Sequence, residues 1–206
     1  MKKFNISIEA HREHEKLKIF QSLSRKHSNT KNRENTRLEH VSLIKEYLPD
    51  CSSILSIGSR HDSEVTTFLN NGFLCQGIDV TISTDLIKLC DAHYLDKEFS
   101  SNQFDLVYCS HSLEHMVDHT KVLTNIRNVS KLGCLITLPS VNDSYAAHSN
   151  VYDIMNAAAK RELPDDLKAL NHHKYLQDFE GFLPFELIYF KNKIKEKEFD
   201  LLFKWV

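Results

Sequence analysis

Glycine is scarce in this chain. It occurs five times in 206 residues, at positions 58, 72, 77, 133 and 181, and proline occurs four times. A loop that cradles phosphates needs clustered glycines, because the backbone must approach the phosphates with no side chain between. The stretch CSSILSIGSRHDSEV (51–65) reads as a strand, a turn and the start of a helix, where such a loop would lie, yet it holds Gly58 alone. Counted from Gly58, the later glycines of a G-x-G-x-x-G pattern fall on Arg60 and Ser63, and a side chain at position 60 crowds a pyrophosphate. No G-K-[ST] follows, so a P-loop is absent too. Arg60 thus disfavours a nicotinamide-dependent oxidoreductase, one alternative reading of the chain.

Other absences narrow the class further. No apolar run approaches the ~18 residues a membrane span needs, so no membrane association is expected. The opening MKKFNISIEAHREHEK has two lysines but no apolar stretch behind them, unlike a secretory signal. The five cysteines, Cys51, Cys75, Cys90, Cys109 and Cys134, form no C-x-x-C pair. Their odd number, and their place in or beside apolar segments, predict buried thiols in a reduced, cytoplasmic protein. Net charge is −2, which gives no general argument for a nucleic-acid or membrane partner.

What remains is a chain with 41% hydrophobic residues, enough for one domain with a sizeable core. Residues 1–37 stand apart as a basic, largely helical arm. Ten lysines and arginines there face Glu9, Glu13, Glu15 and Glu34, a local charge of 10 − 4 = +6. SRKHSNTKNREN (24–35) reads as a loop, and TRLEHVSLIKEYL (36–48) as a helix with Leu38, Val41, Leu43, Ile44 and Leu48 on one face, stopped by Pro49. Short apolar runs at 53–58, 73–80, 86–91, 104–110 and 134–139 then alternate with helical stretches at 62–72 and 118–133, each closed by a glycine. Such alternation predicts an α/β domain over 38–206 with a doubly wound, mostly parallel sheet. Two helical stretches occupy the span 140–184, and FELIYFKNK and EFDLLFKWV, separated by the charged IKEKE, predict a C-terminal antiparallel hairpin.

The second predicted strand ends in GIDV, placing Asp79 21 residues (79 − 58) beyond Gly58. That reach suits a carboxylate bound to both hydroxyls of a ribose, each charge-assisted bond contributing roughly 1.5–3 kcal/mol. A ribose reader without a pyrophosphate cradle predicts a nucleoside cofactor that carries no phosphates. ILSIGSRHDSEV, GIDV, CDAH and FDLVYCSHSLEHMVD, in that order, resemble the class I S-adenosylmethionine-dependent methyltransferases, particularly the type 11 group. The family fold is a seven-stranded sheet whose last strand is antiparallel.

The resemblance implies an enzyme that takes S-adenosyl-L-methionine and releases S-adenosyl-L-homocysteine. It would place Gly58, Ser59 and Arg60 along the methionine end of the cofactor, Asp79 on the ribose and Val80 beside the adenine. Asp91 would face the adenine amino group, with the backbone N–H of Ala92 beside it. Ser110 and His111 would lie near the sulfonium, and His115 matches the histidine of the family's LEH. The family often has an acid two residues before its first glycine, and here that position is Ser56. Arg60 would rationalise its own departure by pairing with the cofactor carboxylate.

His111, His115 and His119 repeat every four residues, the spacing of a metal site on one continuous helix, but the segment directly follows a strand, so no metal is expected. PSVNDSYAAHSN (139–150) follows the fifth strand and offers Asn142, Asp143 and Tyr145 for substrate, with His148 or His115 as a base if the acceptor must lose a proton. The span 140–184 reads as a substrate cover and points to a small-molecule or sugar-like acceptor. No nucleic-acid motif appears. A catalytically inactive methyltransferase-like protein that binds a partner through the basic arm is the remaining alternative.

Overall fold

The structure is a computed structural model. It describes residue 9 and residues 30–116, 118–139, 185–193 and 198–206. The elements run in the order α1 (Thr30–Tyr47), β1 (Ser53–Ile57), α2 (Asp62–Asn70), β2 (Leu74–Asp79), β3 (Ile87–Leu89), α3 (Leu95–Glu98), β4 (Phe104–Ser110), α4 (His119–Val129), β5 (Ser130–Pro139), β6 (Phe185–Lys193) and β7 (Glu198–Trp205). Two 3-10 turns, Ala92–Tyr94 and Leu113–His115, precede α3 and α4.

The described strands form one seven-stranded sheet in the order β3-β2-β1-β4-β5-β7-β6. β1 pairs in parallel with β2 and β4, β2 with β3, and β4 with β5. β7 alone runs antiparallel, inserted between β5 and β6. This is the doubly wound sheet with a C-terminal hairpin expected from the sequence.

The inner strands are apolar on both faces because helices cover both. On one face Leu55, Ile57, Val107, Cys109, Ile136 and Phe203 pack against Leu95 of α3 and Val122, Leu123 and Ile126 of α4. On the other, Ile54, Leu106, Tyr108, Leu135 and Leu202 meet Val41, Ile44 and Leu48 of α1 and Phe68 of α2. All of the cysteines but Cys75 are buried. Burial pushes the Cys51 and Cys75 thiols up to about 12, which leaves them inert. Among the described residues no helix is long and apolar enough to cross a membrane.

Three expectations are corrected. α1 starts at Thr30, inside the stretch read as a loop, and continues across the 37/38 boundary. Its first turns carry no apolar stripe to signal a helix, with Arg33, Glu34 and Asn35 exposed, and Arg37 Nε donates to Thr67 Oγ1 of α2 at 3.2 Å. Leu38 is 42% exposed, and His40 takes the core position instead.

Finally, α4 ends at Val129, and Gly133 lies within β5 opposite Lys204 rather than closing a helix. A Cβ on Gly133 would sit 1.9 Å from the carbonyl oxygen of Phe203. Glycine is required there because β7 comes that close. Gly133→Ala is expected to cost about 3 kcal/mol, the upper range for an overpacked interior, since backbone must move to admit the methyl. Urea denaturation of the two proteins checks this.

The arm apart from residue 9 and residues 30–37, the span 140–184, and within it Asn142, Asp143, Tyr145 and His148, lie outside the described residues.

Candidate active site

The ends of β1, β2, β3 and β4 share one edge of the sheet, on either side of the point between β1 and β4 where strand order reverses. Open parallel sheets bind ligands at such a point. β1 runs into Gly58, whose φ of +77° lies in the left-handed region. The N–H groups of Gly58 and Ser59 both donate to the Ile78 carbonyl, at 2.8 and 3.0 Å, and so tie the turn to β2 one residue before Asp79. A Cβ on Gly58 would lie 2.0 Å from Ser112 Oγ and 2.7 Å from Ser112 Cβ. The glycine thus lets the β1 turn meet the turn after β4, and one glycine suffices for that.

Ser59 is fully buried. Its Oγ donates to Ser56 Oγ (2.8 Å) and Glu64 Oε1 (3.0 Å), so only its backbone faces the edge. Ser56 Oγ also bonds to Glu64 Oε1. The carboxylate missing at position 56 is therefore delivered by α2. Sequence reading missed Glu64 because the partners are eight residues apart on different elements. Burial raises its carboxyl above the ordinary value, more than the serine hydroxyls, Arg37 and His40 lower it. A folded-state pKa above the unfolded one contributes stability at acid pH and loses it as pH rises through the folded value. Glu64→Gln, which keeps an Oε1 acceptor for both serines, is therefore expected to gain stability on the wild type as pH rises from about 4, by about 1.4 kcal/mol for each pH unit of raised pKa. Melting curves of both proteins across pH measure the difference.

Arg60 is exposed and has no partner among the described residues. Asp79 ends β2 and is 5% exposed. Its Oδ1 accepts from Thr81 N–H (2.7 Å), Thr81 Oγ1 (2.6 Å) and Ile82 N–H (3.2 Å), while Oδ2 takes no bond among the described residues. One oxygen holds the turn and the other is available to a ligand. Val80, half-buried, follows it. Beyond β3, Asp91 Oδ1 accepts from His93 N–H at 3.0 Å and stands 2.6 Å from His93 Nδ1. Ala92 is buried, and its carbonyl accepts from Asn125 of α4 at 3.2 Å. Next to it, the Tyr94 hydroxyl donates to Glu9 of the arm at 3.3 Å.

β4 ends at Ser110. His111 has a φ of +50°, unusual for a residue with a side chain. Its N–H donates to the Thr137 carbonyl (3.0 Å) and its Nε2 lies 3.0 Å from Glu198 Oε1 of β7, which hold it there. His115 closes the 3-10 turn and is half-buried. His119 opens α4, is half-buried and donates from Nε2 to the Leu113 carbonyl at 2.9 Å. His111 lies in the turn after β4, His115 in the 3-10 turn and His119 in α4, and the described residues hold no cluster that suits a metal.

The structure thus gathers Gly58, Arg60, Asp79, Asp91, Ser110 and His111 at one edge. Residues 64–138 match a family model described as a methyltransferase domain. This stretch matches a methyltransferase domain, the domain of an enzyme, and the sheet around it has the class I methyltransferase fold. No curated protein matches the chain.

Solved structures share the methyltransferase fold at low identity. One is 1,6-didemethyltoxoflavin-N1-methyltransferase from Burkholderia thailandensis, with bound 1,6-didemethyltoxoflavin and S-adenosylhomocysteine. It is 10% identical with a TM-score of 0.66, over 100% of this chain and 93% of that one. The PH0226 protein from Pyrococcus horikoshii OT3 is 14% identical with a TM-score of 0.56, over 87% and 93%. The [4+2]-cyclase SpnF is 12% identical with a TM-score of 0.53, over 81% and 80%.

Proposed function

We propose that this methyltransferase methylates an oxygen or nitrogen atom of a small or sugar-like molecule. The observation that carries the cofactor half of this reading is Asp79, with one carboxylate oxygen spent on its own turn and the other without a partner among the described residues. Bound there, S-adenosylmethionine supplies a methyl group already activated by its sulfonium. The residues fit that group. Asp79 Oδ2 accepts from the ribose hydroxyls, Asp91 faces the adenine amino group, and the guanidinium of Arg60 pairs with the carboxylate of the amino-acid end. Gly58 and the Ser59 backbone line that end, with Val80 and Ala92 along the base.

Ser110 and His111 border the reacting atoms. His115 or His148 takes the proton from the acceptor where one must leave, and Asn142, Asp143 and Tyr145 bind the acceptor. The chain's main contribution is alignment of the two reactants, which can be worth several kcal/mol. The Burkholderia neighbour, which binds a small-molecule acceptor, supports the acceptor class. The reduced, buried cysteines are in keeping with a cytoplasmic protein.

Calorimetric titration of S-adenosylhomocysteine tests the cofactor half. Asp79→Asn keeps an acceptor for Thr81 and Ile82 but turns an amide N–H₂ toward the ribose. It is expected to weaken binding about tenfold or more, 1.4 kcal/mol or above. NADH is expected not to bind. Equal affinity in wild type and variant would refute the ribose assignment. Methyl transfer from labelled cofactor to a panel of hydroxyl and amine acceptors tests the rest. A chain that binds the cofactor and methylates none of them would be the inactive binding protein.

A further inference from the structure

We infer that His93 is a positioning residue that makes this site selective for adenine, by holding the Asp91 carboxylate toward the exocyclic amino group. The inference rests on the placement of adenine proposed above.

His93 and Asp91 are both nearly buried, with side-chain exposures of 4% and 8%. His93 Nδ1 lies 2.6 Å from Asp91 Oδ1, and its other nitrogen, Nε2, lies 3.2 Å from the backbone N–H of Asp118. A backbone N–H can only donate, so Nε2 must offer its lone pair. The ring proton therefore sits on Nδ1 and points at Asp91. His93 is thus a neutral bridge between the adenine-side carboxylate and the residue that caps α4, where Asp118 Oδ1 accepts from Lys121 N–H at 2.9 Å. Asn125, one turn further along α4, holds the Ala92 carbonyl at 3.2 Å. The segment Asp91–Ala92–His93 is clamped to α4 at two points, and His93 is the one that reaches the carboxylate.

The chemistry of selectivity follows from this clamp. An ionised carboxylate only accepts hydrogen bonds. The 6-amino group of adenine donates, whereas the 6-oxo group of hypoxanthine accepts and faces the carboxylate with two lone-pair donors opposed. A carboxylate able to swing away would tolerate either base. One fixed by His93 would not, because a buried polar group left facing the wrong partner is what gives such sites their discrimination. Sequence reading passed over His93 because it stops at CDAH as a motif and says nothing of what the histidine touches.

The test compares two ligands and two conservative variants. Calorimetry measures the affinity of S-adenosylhomocysteine and of its 6-oxo analogue, S-inosylhomocysteine. His93→Asn keeps an N–H donor near the place of Nδ1, and so keeps the bond to Asp91. His93→Gln reaches the Asp118 N–H with its amide oxygen and takes the ring N–H away from Asp91, whose Oδ1 keeps the backbone N–H of residue 93. The wild type is expected to prefer the adenine ligand by about tenfold or more. His93→Asn should keep most of that preference. His93→Gln should lose it, through weaker binding of the adenine ligand with the inosine ligand changed less than about twofold.

Equal losses for both ligands in His93→Gln would mean a merely structural role and overturn the inference. So would a preference retained in His93→Gln. Wild-type protein that binds neither ligand would instead overturn the cofactor placement on which the inference stands, and the Asp79→Asn comparison separates that outcome from failure at His93.

Discussion

Gly58→Ala is expected to lower S-adenosylhomocysteine affinity about tenfold or more and to lower stability as well. The methyl group meets two costs at once. Alanine at φ +77° is strained by about 1–2 kcal/mol. Its Cβ would also stand 2.7 Å from Ser112 Cβ, an atom that rotation of the serine side chain does not carry away. Relief requires the turn after β1 or the turn after β4 to move outward, and binding must then reverse that movement. With overpacking worth about 1–3 kcal/mol the total is roughly 2–5 kcal/mol, shared between affinity and stability. Ser112→Gly in the same protein removes both atoms in the way and is expected to recover the packing part while leaving the backbone strain. Calorimetry on the single and double variants checks this. A Gly58→Ala protein that binds like the wild type would show that the two turns do not need to meet.

Asp200→Ala is expected to lower stability by about 3–5 kcal/mol, because the buried His40 ring and the Thr137 hydroxyl both lose their acceptor, at about 1–3 kcal/mol each. Asp200 of β7 and His40 of α1 are both fully buried, and His40 Nε2 lies 3.1 Å from Asp200 Oδ1. Thr137 of β5 donates to the same oxygen at 3.0 Å, and His40 Nδ1 lies 3.0 Å from the Tyr108 hydroxyl of β4. Burial holds that phenol well above its ordinary pKa, so it stays protonated and can serve the network as a donor. For a domain of this size the loss corresponds to a fall in Tm of roughly 6–20 °C. Replacing both His40 and Asp200 by leucine is expected to cost clearly less than the sum of the single changes, since neither partner is then left alone. Thermal unfolding of the four proteins gives the coupling. If Asp200→Ala matters no more than the exposed Asp96→Ala, the pair is not structural.

The parts of the molecule that were legible in the sequence are those whose causes are local. β1, β2 and β4 announce themselves as apolar runs because both of their faces are covered, and Gly72 closes α2 with a φ of +91°, as its place after Asn71 suggests. Asp79 ends β2, within the apolar run that announced that strand. What stayed hidden depends on contacts between distant segments. Gly133 looks like a helix stop, and only the approach of Phe203 shows why a glycine is needed inside a strand. Glu64 restores a carboxylate beside Ser56 from the next helix. His40 sits in a helix whose apolar stripe led to Leu38, because nothing local shows that Asp200 waits in the core.

The insertion of β7 between β5 and β6 has a consequence for the order in which the protein takes shape. β1 to β5 can pair among themselves once Pro139 has been made, the farthest of these pairings joining Ile54 to Leu106, whereas the contact of Thr137 with Asp200 needs a further 63 residues of chain. On a chain made from its N-terminus that pairing therefore comes last. Until β7 arrives, β5 is an edge strand with unpaired backbone groups, and His40 has no carboxylate beside it. The half of the sheet that bears Gly58, Asp79 and Asp91 can be assembled while this edge is still open. The nascent protein is thus most prone to join a second copy of itself during the interval between the fifth strand and the seventh, and a chaperone that shields β5 would have its effect in that interval.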